Sequence, residues 1–248
     1  MPHFFINKNS INDKKIIISD KENYNHIARA LHTKIGEKLL FIDENKIQYE
    51  TVVEKITSST LIANILNEYP SKRFLPINLY LAQAVLKKEA QAEAIQKACE
   101  LGVKGIYPMI TDNCTIKKSY AIEKIEKYNK LSYEASKQCE RPDIAEVYNV
   151  TDLKSMLNST EFNIKIACVE KNSKMTLKSY LSSLSLTSQD KILVIIGPEG
   201  GFEEKEVEEA FEIGGKVISL GKRILRTETA AITSVAICML YSEMNLSE

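Results

Sequence analysis

Residues 191–202 read KILVIIGPEGGF, an almost wholly apolar run that passes straight into a turn built on Gly197, Pro198, Gly200 and Gly201. A short continuous apolar run bounded by glycine and proline is the pattern of a strand buried on both faces. The stretch Glu203–Ile213 that follows is expected to be a helix, so the segment predicts strand, glycine turn, helix. In open α/β sheets, ligands bind at the carboxyl ends of strands, and glycines let the backbone come close to them. Two readings are open at this point: a ligand loop, or a tight strand-to-helix turn that holds no ligand.

If the turn is a ligand loop, phosphate ligands fit it poorly. Neither GxGxxG nor GxxxxGK[ST] is present, no Lys or Ser/Thr follows the glycines, and Glu199 would repel a phosphate. A cofactor without phosphates fits better. S-adenosylmethionine, an adenosine joined to a sulfonium cation, meets that description.

Outward from this turn, the chain alternates. The strand INLYLAQAV, helix Lys87–Leu101, strand GIYPMI, a helix from about Tyr120 to Gln138 and strand NIKIACV come before it, with a short helix near Leu177–Leu184. The strand KVISL and a last helix from Thr227 to about Tyr241 come after it. Alternating strands and helices with apolar strands imply a parallel sheet covered on both faces. Toward the amino terminus the pattern changes to consecutive strands, LLFID at 39–43, IQYETVVEKI at 47–56 and LIANILN at 61–67, with a short helical stretch around Asn25–Leu31. Two prolines in residues 69–76, YPSKRFLP, mark a linker. The expected organisation is an antiparallel β domain at 1–70, a linker at 71–76 and an α/β domain at 77–248.

A second motif, LGKRILRTETAA at 220–231, carries another strand end through a loop into the last helix. Thr227 can cap that helix, and Glu228 in its first turn suits the helix dipole. Those structural roles leave Arg223 and Arg226 unexplained beside a proposed cofactor loop.

Together, IIGPEGGF and LGKRILRTETAA resemble the paired cofactor motifs of RsmE-type methyltransferases, which methylate N3 of a uridine in 16S ribosomal RNA; spacing, order and C-terminal position agree. The likeness extends through AQAVLKKEAQAEAIQKACELGV at 82–103, through EASKQCER at 134–141 and, in the β domain, through HIARALHTKIGEKLLFID at 26–43. It implies a small N-terminal β-barrel of the PUA or OB kind that binds RNA, and a SPOUT α/β domain whose end threads a trefoil knot. It also implies S-adenosylmethionine as cofactor, small-subunit ribosomal RNA as partner, and a homodimer.

The resemblance carries site residues with it. Val169, Glu170, Ile196, Gly197, Pro198, Glu199, Gly200, Gly201, Leu220, Gly221, Ile224, Leu225, Thr227, Thr229 and Ala230 would surround the cofactor. Arg226 would orient the uracil and stabilise its anion, and Glu228 would be the base, or else a helix-dipole residue or cofactor ligand. Arg29, Lys87, Lys97, Gln138 and Arg141 would touch RNA, with a solvated surface position as the alternative for each and plain capping chemistry as a further one for Gln138 near Arg141. Some positions depart from the family pattern: His3 and His32 replace arginines, Ala90 a basic residue, Asn113-Cys114 an Arg-Ser pair, and Glu203 a capping Ser. These changes thin the basic surface and leave the cofactor motifs intact.

Composition bounds the alternatives. Lys plus Arg equals Asp plus Glu at 33 each, so RNA must be gripped by a local patch and not by bulk charge. MPHFFINKNS lacks a secretion signal's apolar core and no apolar stretch is long enough for a membrane span, which points to the cytoplasm. Five scattered cysteines with no CxxC pair argue for free thiols and against structural zinc. Two rival functions are an RNA- or ribosome-binding module that no longer transfers methyl groups, and an α/β enzyme that uses the glycine turn for a nucleotide.

Overall fold

The computed structural model describes residues 1–169, 175–212 and 214–246. The chain divides into two compact units: Met1–Phe74 with Lys137–Asp143, and Leu75–Ser136 with Ile144–Glu248.

The first unit is a six-stranded sheet. Its strands are β1 (His3–Phe5), β2 (Ile11–Asn12), β3 (Lys15–Ile18), β4 (Lys38–Ile42), β5 (Ile47–Ile56) and β6 (Leu61–Pro70), in the order β1-β4-β5-β6-β3-β2. Alternate residues such as Leu39, Phe41, Val53, Leu61 and Ala63 gather with Phe4, Ile16 and Ile27 into one apolar cluster. A purely antiparallel sheet was expected, and this is corrected: β1 runs parallel to β4, with His3 opposite Leu40. The chain between them carries β2, β3 and a helical segment, which gives it the length a parallel crossover needs. The strands β1 to β3 are too short to show a periodic pattern in sequence. Helix α1 (Lys21–Tyr24) starts where the Asp20 carboxylate accepts the Asn23 N–H at 2.8 Å, and it continues into a π-helical turn at Asn25–Ala30.

The second unit is a seven-stranded sheet in which every pairing is parallel. It contains β7 (Asn78–Ala84), α2 (Lys88–Glu100), β8 (Gly105–Ile110), α3 (Lys118–Ile122), α4 (Ile125–Gln138), β9 (Glu146–Val147), β10 (Thr151–Asp152), α5 (Leu153–Asn158) and β11 (Ile164–Val169). It continues with α6 (Leu177–Leu181), β12 (Lys191–Ile196), α7 (Glu204–Glu212), β13 (Lys216–Ser219) and α8 (Thr227–Leu246). The order is β10-β8-β7-β12-β11-β13, with β9 beside β8. On β12, Ile192, Val194 and Ile196 pack into one cluster while Leu193 and Ile195 pack into another, so both faces are covered. This is why the strand reads as continuously apolar. The single helix expected from Tyr120 to Gln138 is two helices, because α3 closes on a tight turn in which the Lys124 N–H reaches back three residues to the Ala121 carbonyl, at 3.1 Å.

Candidate cofactor site

Strands β12, β11 and β13 are neighbours in the sheet and parallel, so their carboxyl ends open on one edge. A cavity of about 520 Å³ lies there, within the size range of small-molecule sites. Cys168 and Val169 at the end of β11 form one part of its wall. The chain leaving β12 forms the second, with Ile196, Gly197, Pro198, Gly200, Gly201 and Phe202. The chain leaving β13 forms the third, with Leu220, Gly221, Arg223 and Leu225, and leads to Thr227 and Ala230 on α8. The two glycine-containing motifs, separate in sequence, thus face one cavity because β11 lies between the strands that carry them.

Local chemistry holds the first loop. Gly201 has φ +71°, a left-handed conformation that a side chain makes costly. Helix α7 begins with half of a capping box: the Glu206 carboxylate accepts the Glu203 N–H at 2.9 Å. In the second loop Arg226, and not the expected Thr227, stands at the N-cap position of α8. Its carbonyl accepts the Ala230 N–H at 2.8 Å, and Thr227 is the first helical residue. Buried Cys168 lies 3.4 Å from the Ser234 hydroxyl on α8, and burial pushes its thiol pKa up to about 11.

Of the other residues expected at the cofactor, Glu199 and Thr229 are exposed, Ile224 is 70% exposed, and none of the three lines the cavity. Glu170 lies outside the described residues. Arg226 is exposed and Glu228 half-buried, and neither lines the cavity. Sequence reading missed Cys168, Phe202 and Arg223 as lining residues, together with Glu204, Val207 and Glu208. Those last three recur at helical spacing directly after the glycine turn, a signal that would have placed them on one face of α7.

Among residues expected to touch RNA, Arg29 is exposed over the Tyr24 ring, 5.8 Å from its centre, and Lys87 and Gln138 are exposed. Lys97 donates to both Glu100 oxygens at 2.9 Å. Arg141 is buried, and its Nε and Nη2 donate to Asp143 at 3.0 Å. His3 is buried as well. Burial pushes its pKa down to about 4, so it is neutral at pH 7 and cannot replace an arginine's charge. His32 is exposed. None of the five cysteines is in a disulfide, no group of His, Cys, Asp or Glu among the described residues could hold a metal, and no described helix is long and apolar enough to cross a membrane.

The cavity suits a cofactor without phosphates. Glu204 and Glu208 set two carboxylates against the one guanidinium of Arg223, while glycines and apolar side chains make up most of the remaining lining. A parallel α/β sheet with such a cavity at its carboxyl edge defines the class as a cofactor-using α/β enzyme. The model of the RNA methyltransferase domain family matches residues 73–239, and the chain belongs to that family, within its RsmE type. It is 30% identical to the ribosomal RNA small subunit methyltransferase E of Rickettsia conorii, over 94% of this chain and 92% of that one. It is 26% identical to the enzyme of the same name from Bacillus subtilis, over 98% of each chain. The structure of a methyltransferase from Legionella pneumophila in complex with the bound cofactor SAM superposes with a TM-score of 0.82 at 26% identity, covering 95% of this chain and 96% of that one.

Proposed function

We propose that the chain transfers the methyl group of S-adenosylmethionine to N3 of a uridine in 16S ribosomal RNA of the small subunit. The observation that carries this reading is the cavity that the segments leaving β12 and β13 share at the carboxyl edge of β12, β11 and β13. When bound there, S-adenosylmethionine supplies an electrophilic methyl group. Gly197, Gly201, Leu220, Leu225, Thr227 and Ala230 hold it by backbone and apolar contact. Uracil N3 is a weak nucleophile while protonated. Arg226, exposed at the N-cap of α8, orients the uracil and stabilises the anion that forms as the proton leaves. Glu228, two residues further on, accepts that proton. Fixing both reactants at one edge supplies much of the rate through proximity.

Residues 1–70 form the RNA-gripping domain, a small β-barrel of PUA or OB type, and residues 71–76 are the linker to the domain at 77–248. Arg29, Lys87 and Gln138 contact RNA, while Lys97 and Arg141 serve the fold. The second domain is a SPOUT domain with a trefoil knot. Supporting the knot, β13 lies at the sheet edge while α8 packs on β12, β7 and α2, so residues 220–226 pass across the strand ends where the first loop lies. The working form is a homodimer in the cytoplasm. Helix α8 is apolar around its circumference, with Leu240 52% and Met244 82% exposed, which suits a self-contact.

The test is incubation of the purified protein with radiolabelled S-adenosylmethionine and unmodified small ribosomal subunits, followed by nucleoside analysis of the RNA. Labelled 3-methyluridine is the expected product. Cofactor binding with no labelled nucleoside would sink the proposal in favour of a binding module or another RNA target.

A further inference from the structure

The turn that follows β8 touches the first loop at several points. The Asn113 Nδ2 group donates to the Gly200 carbonyl at 3.4 Å and to the Gly201 carbonyl at 3.3 Å. The Asp112 N–H donates to Glu206 Oε1 at 3.0 Å, while the Glu203 N–H donates to Glu206 Oε2 at 2.9 Å. Glu206 is 7% exposed, so each of its oxygens serves one backbone N–H in a largely water-free place. The packing is close as well: a Cβ at residue 200 would lie 3.1 Å from the Asn113 Cβ. Asp112 and Lys205 add an ion pair at 2.5 Å on the exposed side.

We propose that Asn113 and Glu206 are positioning residues that hold the 197–203 loop in its cofactor-binding form before the cofactor arrives, so that affinity for S-adenosylmethionine depends on them. The inference rests on the reading of that loop as the cofactor loop. Ordering a loop costs free energy, and a loop that is already ordered spares the ligand that cost. Two features suit this work. Asn113 donates to adjacent carbonyls, which fixes the orientation of the peptides that follow Glu199. Glu206 joins two separate segments, the turn after β8 and the start of α7, and an amide in its place offers only one acceptor oxygen. Asn113 stands where the family pattern has arginine, so here the turn after β8 serves the cofactor loop through a neutral donor.

The experiment is calorimetric binding of S-adenosylmethionine to the full chain, with steady-state KM and kcat and a thermal melt for each variant. Asn113→Ala is expected to raise the cofactor Kd and KM roughly tenfold, the loss of about one net hydrogen bond, with kcat at saturating cofactor and the melting temperature near wild type. Asn113→Asp is expected to weaken binding further than Asn113→Ala, because a carboxylate repels the two carbonyls. A purely structural role would not give that order at constant melting temperature. Glu206→Gln, which keeps one acceptor, is expected to fall between wild type and Glu206→Ala, and Lys205→Ala is expected to stay within twofold because exposed ion pairs contribute little. Wild-type affinity in both Asn113 variants would overturn the proposal, as would a fall in kcat with KM unchanged. Failure of wild type itself to bind S-adenosylmethionine would remove the cofactor reading and the proposal with it, and would be seen before any variant is compared.

Discussion

The two loops that face the cavity are built in different ways. The first leaves β12, which lies between β7 and β11 in the sheet, and its opening residues Gly197 and Pro198 are buried. Asn113 and Glu206 tie it to a turn far away in sequence. The second leaves the edge strand β13, and Gly221, Lys222, Arg223, Ile224 and Arg226 are all exposed. Among the described residues its side-chain hydrogen bonds are local, with Ser219 Oγ and the Gly221 backbone exchanging bonds at 3.2 Å. One wall is thus set by tertiary contacts, whereas the other keeps its cations in water, where an anionic RNA can reach them.

That contrast can be broken at its strongest point first. Ile195→Ala beneath the first loop removes a fully buried side chain and is expected to destabilise the fold by about 2–5 kcal/mol in denaturant melts, because a central strand has no room to relax. Arg226→Ala in the second loop should leave the melt unchanged and slow methyl transfer about a hundredfold, roughly 2.7 kcal/mol, if its charge faces the uracil anion. Wild-type turnover in that variant would move the anion-stabilising role elsewhere. Gly201→Ala is expected to cost about 1–2 kcal/mol from backbone strain alone, since the space around its missing Cβ is open, and to weaken cofactor binding. Ile224→Ser should change stability by no more than about 0.5 kcal/mol, because the residue is 70% exposed. A larger loss there would mean that the second loop is covered in solution.

How much could be read in advance follows from the same physics. The strands KILVII and GIYPMI coincide with β12 and β8 because burial on both faces leaves a continuous apolar run between polar turns. The short strands β1, β2, β9 and β10 left no such trace, since two or three residues cannot show a period. The glycine turn was legible as a loop. Its supports were not: Glu206 looks like one acid among many on a charged helix, and nothing local shows that its two oxygens meet Asp112 and Glu203. The partners of Arg141 and Lys97 were hidden for a similar reason, because a sequence names a charge but not the carboxylate beside it.

By itself, then, the sequence determined which stretches must be strand, helix or turn, and that GPEGG and LRTETA end strands in loops, because apolar period and glycine placement act over a few residues. The tertiary structure alone decided that β11 lies between the strands carrying those two loops, that α7 forms part of the cavity wall, and that Asn113 and Glu206 hold the first loop. Those facts depend on strand order and side-chain contacts between residues more than 80 positions apart, as with Asp112 and Glu206, and no local pattern encodes them.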